Sequence, residues 1–248
     1  MDFYAVLDQG ASPLIPQQYK AFGRCQMKLQ SQHLADYLKS TPMVNWDAPA
    51  IIAQTQAVTR DLVHDVEQAQ ALFEWVRDTI PHSSDIPTDR VTCAASDVLQ
   101  HRTGLCYAKS HLLAAMLRCA GIPAGLCYQV FRRNPPYQGL ALHGLNGLYI
   151  ASHSRWVRVD PRGNTGGIDA QFSLVEEQLA FAVDAPQWEF LYETIYTDPA
   201  PAVVAVLQRF TSLRALWAHL PRPFAEAAEC RSGKTWRSPT TSEKGTGG

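Results

Sequence analysis

The apolar residues between positions 59 and 81 recur at alternating steps of four and three, which is the spacing of one face of an α-helix. They are Leu62, Val66, Ala69, Phe73, Val76 and Ile80. Thr59 is a suitable N-cap residue, and Pro81 cannot continue a helix. The pattern therefore predicts one amphipathic helix from Thr59 to Pro81.

Two further helices are predicted before residue 121. The stretch "AASDVLQH" is a short helical candidate, and a longer helix begins near Cys106, after Thr103 and Gly104. The apolar positions of the longer helix again follow a period of 3.6, and Gly121 and Pro123 are typical of the residues beyond a helix C-terminus.

The next segment has the pattern of β-strands. The runs "AGLCYQVF", "LHGLNGLYI" and "RWVRVD" are rich in β-branched and aromatic residues, and the turn-forming stretches "RRNPPYQG" and "SHS" separate them. Connections this short cannot contain a crossover helix, so the strands should be antiparallel neighbours. The run "PAVVAVLQRFTSLRALWAHL" then predicts a further helix or pair of helices. The order of elements predicts an α+β fold, with an antiparallel sheet packed on helices.

The periodicity also predicts the domain limits. Residues 1–34 show no sustained period and are interpreted as an N-terminal extension, and residues 228–248 are interpreted as a disordered C-terminal tail. Residues 35–227 would form one domain, which suits a chain of 248 residues.

Composition excludes several functional classes. The net charge is -1, and the 22 Lys and Arg residues are scattered without a basic block, so neither a nucleic acid nor a membrane surface is an expected partner. There is no signal-peptide pattern and no apolar run long enough for a transmembrane helix. We expect a cytoplasmic protein, in which six cysteines are free thiols rather than a disulfide framework.

Cys106 is the candidate nucleophile. It lies in the first turn of a predicted helix, where unpaired N–H groups and the positive end of the helix dipole favour an anion. The same N–H groups could hold an oxyanion when a thiolate attacks a carbonyl.

A base and an orienting acid are available on the predicted strands. His143 opens one strand, and Asp160 closes the next strand 17 residues later. If these strands form a hairpin, both side chains lie near the same end of it. One imidazole nitrogen could then face Cys106 while the other pairs with Asp160, which is the arrangement of a thiol triad.

Three blocks of this sequence resemble the transglutaminase-like (papain-like) superfamily. They are "GLCYAKSHLLAAMLRCAGIPAGLCYQ", "LHGLNGLYI" and "WVRVDPRGN", in the family's order of a Gly-x-Cys helix start, a His on a strand and an Asp after a Trp-containing strand. The resemblance covers about residues 59 to 165. It implies a Cys-led helix packed on an antiparallel sheet and a triad of Cys106, His143 and Asp160. Leu145 departs from the pattern, because the family often has an aromatic residue there.

The resemblance supports the mechanism more than the substrate. The superfamily includes enzymes that crosslink glutamine to amines, peptidases, amidases and members that have lost catalysis. We expect thiol-dependent acyl transfer or hydrolysis on peptide or protein amide bonds, with hydrolysis favoured. The alternative is a non-catalytic domain that binds a peptide or a protein. An arylamine N-acetyltransferase is disfavoured, because "RTGLCYAK" lacks that family's residues around the cysteine.

Several residues outside the triad have expected roles. Papain-like enzymes use a side chain upstream of the cysteine as an oxyanion donor, and Gln100, His101 and Thr103 are the candidates, while Trp156 is expected to pack beneath the site. Cys119 and Cys127 are interpreted as packing residues. No cofactor is expected, and no metal site, since none of the cysteines has the short paired spacing of a zinc site.

Overall fold

A computed structural model describes residues 27–133 and 139–224 of the chain. The predicted tail, 228–248, and residues 1–26 of the predicted extension lie outside these ranges. No helix in the described ranges is both long enough and apolar enough to span a bilayer.

The described residues contain six α-helices and six strands. The helices are α1 (Pro49–Thr59), α2 (Asp65–Thr79), α3 (Ala95–His101), α4 (Cys106–Cys119), α5 (Pro201–Arg209) and α6 (Leu213–Trp217). The strands are β1 (Lys28–Leu29), β2 (Ala124–Arg132), β3 (Leu140–Ile150), β4 (Arg155–Val159), β5 (Phe190–Leu191) and β6 (Thr194–Ile195).

The main sheet has the strand order β4-β3-β2-β5, and all of its pairs are antiparallel. Its inner face packs on α4, whose residues from Cys106 to Arg118 are all buried. The predicted α+β fold, with a cysteine-bearing helix on an antiparallel sheet, is confirmed. The predicted strands and the predicted pair of helices after residue 200 are also present.

α4 approaches the sheet closely at Gly144 in β3. A Cβ atom at this position would lie 3.0 Å from the Cα atom of Tyr107, so only a glycine allows the helix to come this near. The Tyr107 hydroxyl donates a hydrogen bond to the carbonyl of Leu142 in the same strand. These contacts fix the start of α4 against the middle of β3.

The predicted helix from Thr59 to Pro81 is wrong at its start. Thr59 is the last residue of α1, and its hydroxyl donates to the Thr55 carbonyl rather than capping the next helix. The chain turns between α1 and α2, and α2 begins at Asp65. Thr59 and Leu62 fitted the helical spacing because this spacing alone does not show where one helix ends and the next begins.

The outer face of the sheet carries a second, smaller cluster of apolar residues. Tyr37, Cys127, Leu145 and Ile195 form it, and all four are fully buried. The Tyr37 hydroxyl donates to the Ile195 carbonyl at 3.0 Å, and β1 pairs with β6 in parallel. Segments from before and after the central helices therefore cover this face together.

We predict that Gly125→Ala destabilises the protein by about 1 to 3 kcal/mol, the usual cost of overpacking. A Cβ atom there would lie 2.6 Å from the Tyr196 carbonyl oxygen, which belongs to the backbone that covers the outer face and cannot rotate away. Thermal unfolding of the purified variant measures the loss.

Gly147→Ala is the matched control in the neighbouring strand. Its added Cβ atom would meet only side-chain atoms of Ile195, the nearest at 2.8 Å, and these can adjust. The loss should therefore be smaller than for Gly125→Ala. Equal melting temperatures for the two variants would contradict the backbone clash.

Candidate active site

Cys106 is the first residue of α4, as the sequence predicts. Leu105 is the N-cap residue and has extended backbone angles, and no side chain caps the helix start. No capping side chain therefore accepts a hydrogen bond from the first N–H groups of α4. These groups point out of the N-terminal end of the helix. The thiol lies where the helix dipole favours negative charge.

His143 and Asp160 come together through the predicted hairpin. Asn146 in β3 stands opposite Val159 in β4, so Asp160 follows opposite Leu145, on the same face as His143. The His143 Nε2 atom lies 2.7 Å from the Asp160 Oδ2 atom. This bond occupies Nε2 and leaves Nδ1 as the ring nitrogen available to a thiol.

The Asp160 carboxylate has three donors. Besides His143, the backbone N–H of Arg162 donates to Oδ1 at 3.1 Å, and the backbone N–H of Ala180 donates to Oδ2 at 3.1 Å. Asp160 is fully buried. A buried carboxylate needs such donors to offset its desolvation, and together they fix the direction of the bond to His143.

The thiol and the imidazole interact. Burial lowers the pKa of His143, but electrostatic interactions with Asp160 and Cys106 outweigh burial and raise the pKa to about 10. His143 is therefore an imidazolium at neutral pH. Because the Cys106 side chain is among the groups that raise the His143 pKa, the thiol and the Asp160 carboxylate both act on one ring.

Phe181 covers the imidazole. Its ring meets the His143 ring edge to face, with the centroids 4.9 Å apart, and stacks on Phe131 in β2. The Phe181 carbonyl accepts a hydrogen bond from Gln129 at 3.2 Å. The sequence gives no signal for this contact, because Phe181 lies in an irregular segment 21 residues after Asp160.

Access to the three residues differs. Cys106 is 8% exposed, whereas His143 is 2% exposed and Asp160 is not exposed at all. Cys106 is therefore the most accessible of the three residues. Two open clefts, of about 500 and 520 Å³, lie elsewhere on the described surface and are not lined by any of the three residues.

The residues predicted to line the site lie in different places. Gln100 is exposed on α3, and His101 contacts Asp97 on its own helix at 3.3 Å. Thr103 is buried, but its hydroxyl donates to the Pro81 carbonyl at 3.2 Å and is occupied there. None of these contacts involves the thiol.

Trp156 also lies away from the thiol. It is on the same sheet face as Asp160 but four residues earlier in β4, a separation of roughly 13 Å along a strand. Its ring packs on Tyr37 at 4.9 Å and on Tyr149 at 5.7 Å.

The loop after α2 comes close to the cysteine, which the sequence did not indicate. His82 forms a parallel bridge with Gly104, and the Ser83 N–H donates to the Gly104 carbonyl at 3.1 Å. Asp85 in the same loop pairs with the guanidinium of Arg162, beside Asp160. No regular pattern in the sequence predicts a loop contact of this kind.

No group of three or more metal-ligating side chains occurs in the described ranges. Burial raises the pKa of the Cys127 thiol to about 12 and also raises that of Cys119. Both environments suit the packing role that the sequence suggested for these cysteines.

One protein-family model matches part of this chain. Residues 52–161 match the model of the transglutaminase-like superfamily, and this range includes Cys106, His143 and Asp160. Comparison with the curated proteins finds no match.

Several solved structures are similar to this chain. A protein from Cytophaga hutchinsonii proposed to be a cysteine protease is 20% identical, with a TM-score of 0.43, over 53% of this chain and 43% of its own. The periplasmic domain of TgpA from Pseudomonas aeruginosa is 21% identical, with a TM-score of 0.37, over 50% of this chain and 45% of its own. The chain thus matches less than half the length of either structure, and likenesses at these scores carry no argument about function.

The His143–Asp160 pair predicts a pH-dependent contribution to stability. His143 has a higher pKa in the folded chain, about 10, than the ordinary value of 6.5 that it has when unfolded. The pair's contribution is therefore complete below about pH 6.5 and is lost as the pH rises toward about 10. We expect the stability difference between wild type and Asp160→Asn, from urea unfolding, to fall by about 2 kcal/mol or more between pH 6.5 and pH 9.5, since one unit is worth about 1.4 kcal/mol.

Asp97→Asn is the control. It removes the carboxylate from the His101–Asp97 pair, whose side chains are 27% and 37% exposed, so solvent screening leaves little energy to lose. A stability difference for Asp160→Asn that stays constant with pH would contradict the raised pKa of His143.

Proposed function

We propose that this chain, whose residues 52–161 belong to the transglutaminase-like superfamily, catalyses thiol-dependent acyl transfer from amide bonds through Cys106, His143 and Asp160. One observation carries the proposal. A buried imidazole lies 2.7 Å from a buried carboxylate, and the side chain of a cysteine at the start of a helix acts on the same ring and raises its pKa. This combination of nucleophile, base and orienting acid is the requirement for thiol catalysis.

The first half of the reaction forms a thioester. His143 holds the proton of the Cys106 thiol, and the thiolate attacks the carbonyl carbon of the amide. The negative charge that develops on the carbonyl oxygen is stabilised by N–H groups at the start of α4. His143 then gives its proton to the leaving amine, the C–N bond breaks, and the acyl group remains on the sulfur.

The second half transfers the acyl group to an acceptor. His143 takes a proton from the acceptor as the acceptor attacks the thioester, and the thiolate leaves. Water as acceptor gives a peptidase or amidase, and an amine gives a transglutaminase. We favour water and propose a peptide or protein amide as the substrate.

Asp160 has an orienting role in this scheme. It keeps Nε2 of the imidazole occupied, so that Nδ1 is the nitrogen presented to sulfur, and its charge stabilises the imidazolium. Phe181 limits the access of water to the His143–Asp160 hydrogen bond from one side. This keeps the attraction between the imidazolium and the carboxylate strong.

One observation favours a second candidate, a non-catalytic domain that binds a peptide or a protein. Only 8% of Cys106 is exposed, which is little for a nucleophile that must meet a polymeric substrate. In that case the family fold would be retained as a scaffold, and the thiol would have no special reactivity.

Labelling with peptide electrophiles tests the triad. We expect a panel of such probes to label wild type at Cys106, Cys106→Ala to lose the label, and His143→Ala to be labelled at least about 100-fold more slowly, because a positioned base contributes 10²-fold or more. Mass spectrometry of the digested protein locates the label. Cys93→Ala is the matched control and should keep wild-type labelling.

The assignment fails if Cys106→Ala and His143→Ala are both labelled as strongly as wild type. Iodoacetamide at pH 6 separates the binding alternative. A binding domain would show no rate advantage of Cys106 over Cys119, whereas a catalytic thiol should react at least about tenfold faster at this pH, where ordinary thiols are protonated.

The products of turnover identify the acceptor. We expect a peptide amide substrate to give mainly the free acid even when a primary alkylamine is added, because water needs no binding site of its own. Quantitative mass spectrometry of the acid and the amine adduct measures the partition, and Cys106→Ala gives the background. An adduct that predominates at millimolar amine would replace hydrolysis by crosslinking as the function.

A further inference from the structure

Lys109 is a fully buried lysine on the helix that carries the candidate nucleophile. It stands three residues after Cys106 in α4, and its side chain has no exposure. Its ammonium donates to three backbone carbonyls: to Arg162 at 3.1 Å, to Arg77 at 3.3 Å and to Ile80. An ammonium has three N–H donors, so all of them are used.

These carbonyls belong to two separate parts of the chain. Arg77 and Ile80 lie at the C-terminal end of α2, where helix carbonyls lack partners within the helix and favour a cation. Arg162 belongs to the turn that follows Asp160. Lys109 therefore connects α4, the end of α2 and the turn beside the orienting acid through one side chain.

The turn at Arg162 is held at three points. Its N–H donates to Asp160, its carbonyl accepts from Lys109, and its guanidinium pairs with both carboxylate oxygens of Asp85. Gly163 follows at a φ of +109°, and a Cβ atom there would lie 3.5 Å from the Lys109 Nζ atom. A side chain at this position would strain the backbone, because its φ lies in the region that favours glycine.

Burial of the Lys109 ammonium costs desolvation free energy, which argues for a role beyond filling space. Burial lowers the pKa of Lys109 to about 7, and the charge of Arg162 lowers it too, while Asp160, Asp85 and Asp78 oppose the shift. No carboxylate is among the hydrogen-bond acceptors recorded for Lys109 in the described residues. An apolar side chain would fill the same space without this desolvation cost.

We propose that Lys109 is a positioning residue that sets the turn holding Asp160 against the helix that presents Cys106. This inference rests on the proposed function of the triad. Because α4 carries both Cys106 and Lys109, any shift of the Asp160 turn relative to the sulfur must break the bond from Lys109 to Arg162. The side chain thereby keeps the His143–Asp160 pair aligned with the thiol.

The same helix supplies a matched control. Arg118 is also buried, and its guanidinium donates to three backbone carbonyls, those of Ala124, Lys39 and Thr197. It stands nine residues after Lys109, roughly 13 Å along the helix. Arg118→Met and Lys109→Met thus remove the same kind of interaction at different distances from the site.

The test measures alkylation of Cys106 by iodoacetamide between pH 5 and pH 9 in the full chain. Thermal unfolding is recorded first, and all rates are taken at a temperature at which every variant is folded. We expect Lys109→Met to lower the rate at pH 6 about tenfold and to move the midpoint of the pH profile up by about one unit, the same change expressed in pH. Arg118→Met should lower the melting temperature but keep the wild-type profile.

A second variant covers the case in which Lys109→Met does not fold. Asp85→Asn weakens the ion pair that holds the Arg162 guanidinium. It should therefore also move the midpoint of the alkylation profile to higher pH. A wild-type profile in folded Lys109→Met, or in Asp85→Asn if the first variant is unfolded, overturns the inference. An equal shift in Arg118→Met overturns it too, since the effect would then be one of general stability.

His143→Ala separates this inference from the proposed function. If His143→Ala also retains the wild-type alkylation profile, the proposed function itself fails. If His143→Ala loses the fast reaction while Lys109→Met keeps it, only the role of Lys109 is wrong.

Discussion

The close packing of α4 on β3 is the constraint on which the rest of the site depends. Tyr107 lies against Gly144, where a Cβ atom would come within 3.0 Å of its Cα atom. Cys106 precedes Tyr107, and His143 precedes Gly144, so this one contact sets the spacing between sulfur and imidazole. A larger residue at position 144 would push the helix from the strand and separate the two groups by a distance that hydrogen bonding does not tolerate.

The site also contains several buried charged side chains. His143, Asp160, Lys109 and Arg162 are all nearly or fully buried, and each has hydrogen-bond partners among backbone groups or side chains. Such a network is stabilising only when it is complete, because an unpaired member bears its whole desolvation cost. The surrounding turns are therefore as much a part of the site as the side chains that would perform chemistry.

The sequence predicts the elements of the site better than its surroundings. Cys106, His143 and Asp160 could be placed because helix starts and hairpin registers follow from local periodicity. Gln100 and His101 could not, since α3 ends at His101 and the next residue, Arg102, has a left-handed backbone with a φ of 55°, where the chain changes direction. Ala180 contributes a backbone N–H, which every residue except proline has, so no residue type identifies it.

Lys109 lies in a helix whose apolar residues follow a period of 3.6, and this periodicity alone does not assign the lysine a role. Its partners are carbonyls from residues 77, 80 and 162, and contacts over such separations depend on the tertiary fold. The predicted extension, residues 1–34, is a second case in which contacts depend on the tertiary fold. It contains β1, whose two residues are too few to form a recognisable pattern and are held by pairing with β6.

The contacts of Ala180 and Phe181 have a consequence for the order in which the site is completed during synthesis. A growing chain begins to fold from its N-terminal side while translation continues. Helices α1 to α4 and the β3–β4 hairpin are complete as sequence once residue 161 has been added, but the last donor to Asp160 and the aromatic cover of His143 are added about 20 residues later, at a rate of about 5 to 20 residues per second. The nascent chain thus carries Cys106 for a second or more before the contacts around His143 and Asp160 are complete. The candidate site reaches its final form only when Ala180 has bonded to Asp160 and Phe181 has stacked on Phe131 in β2.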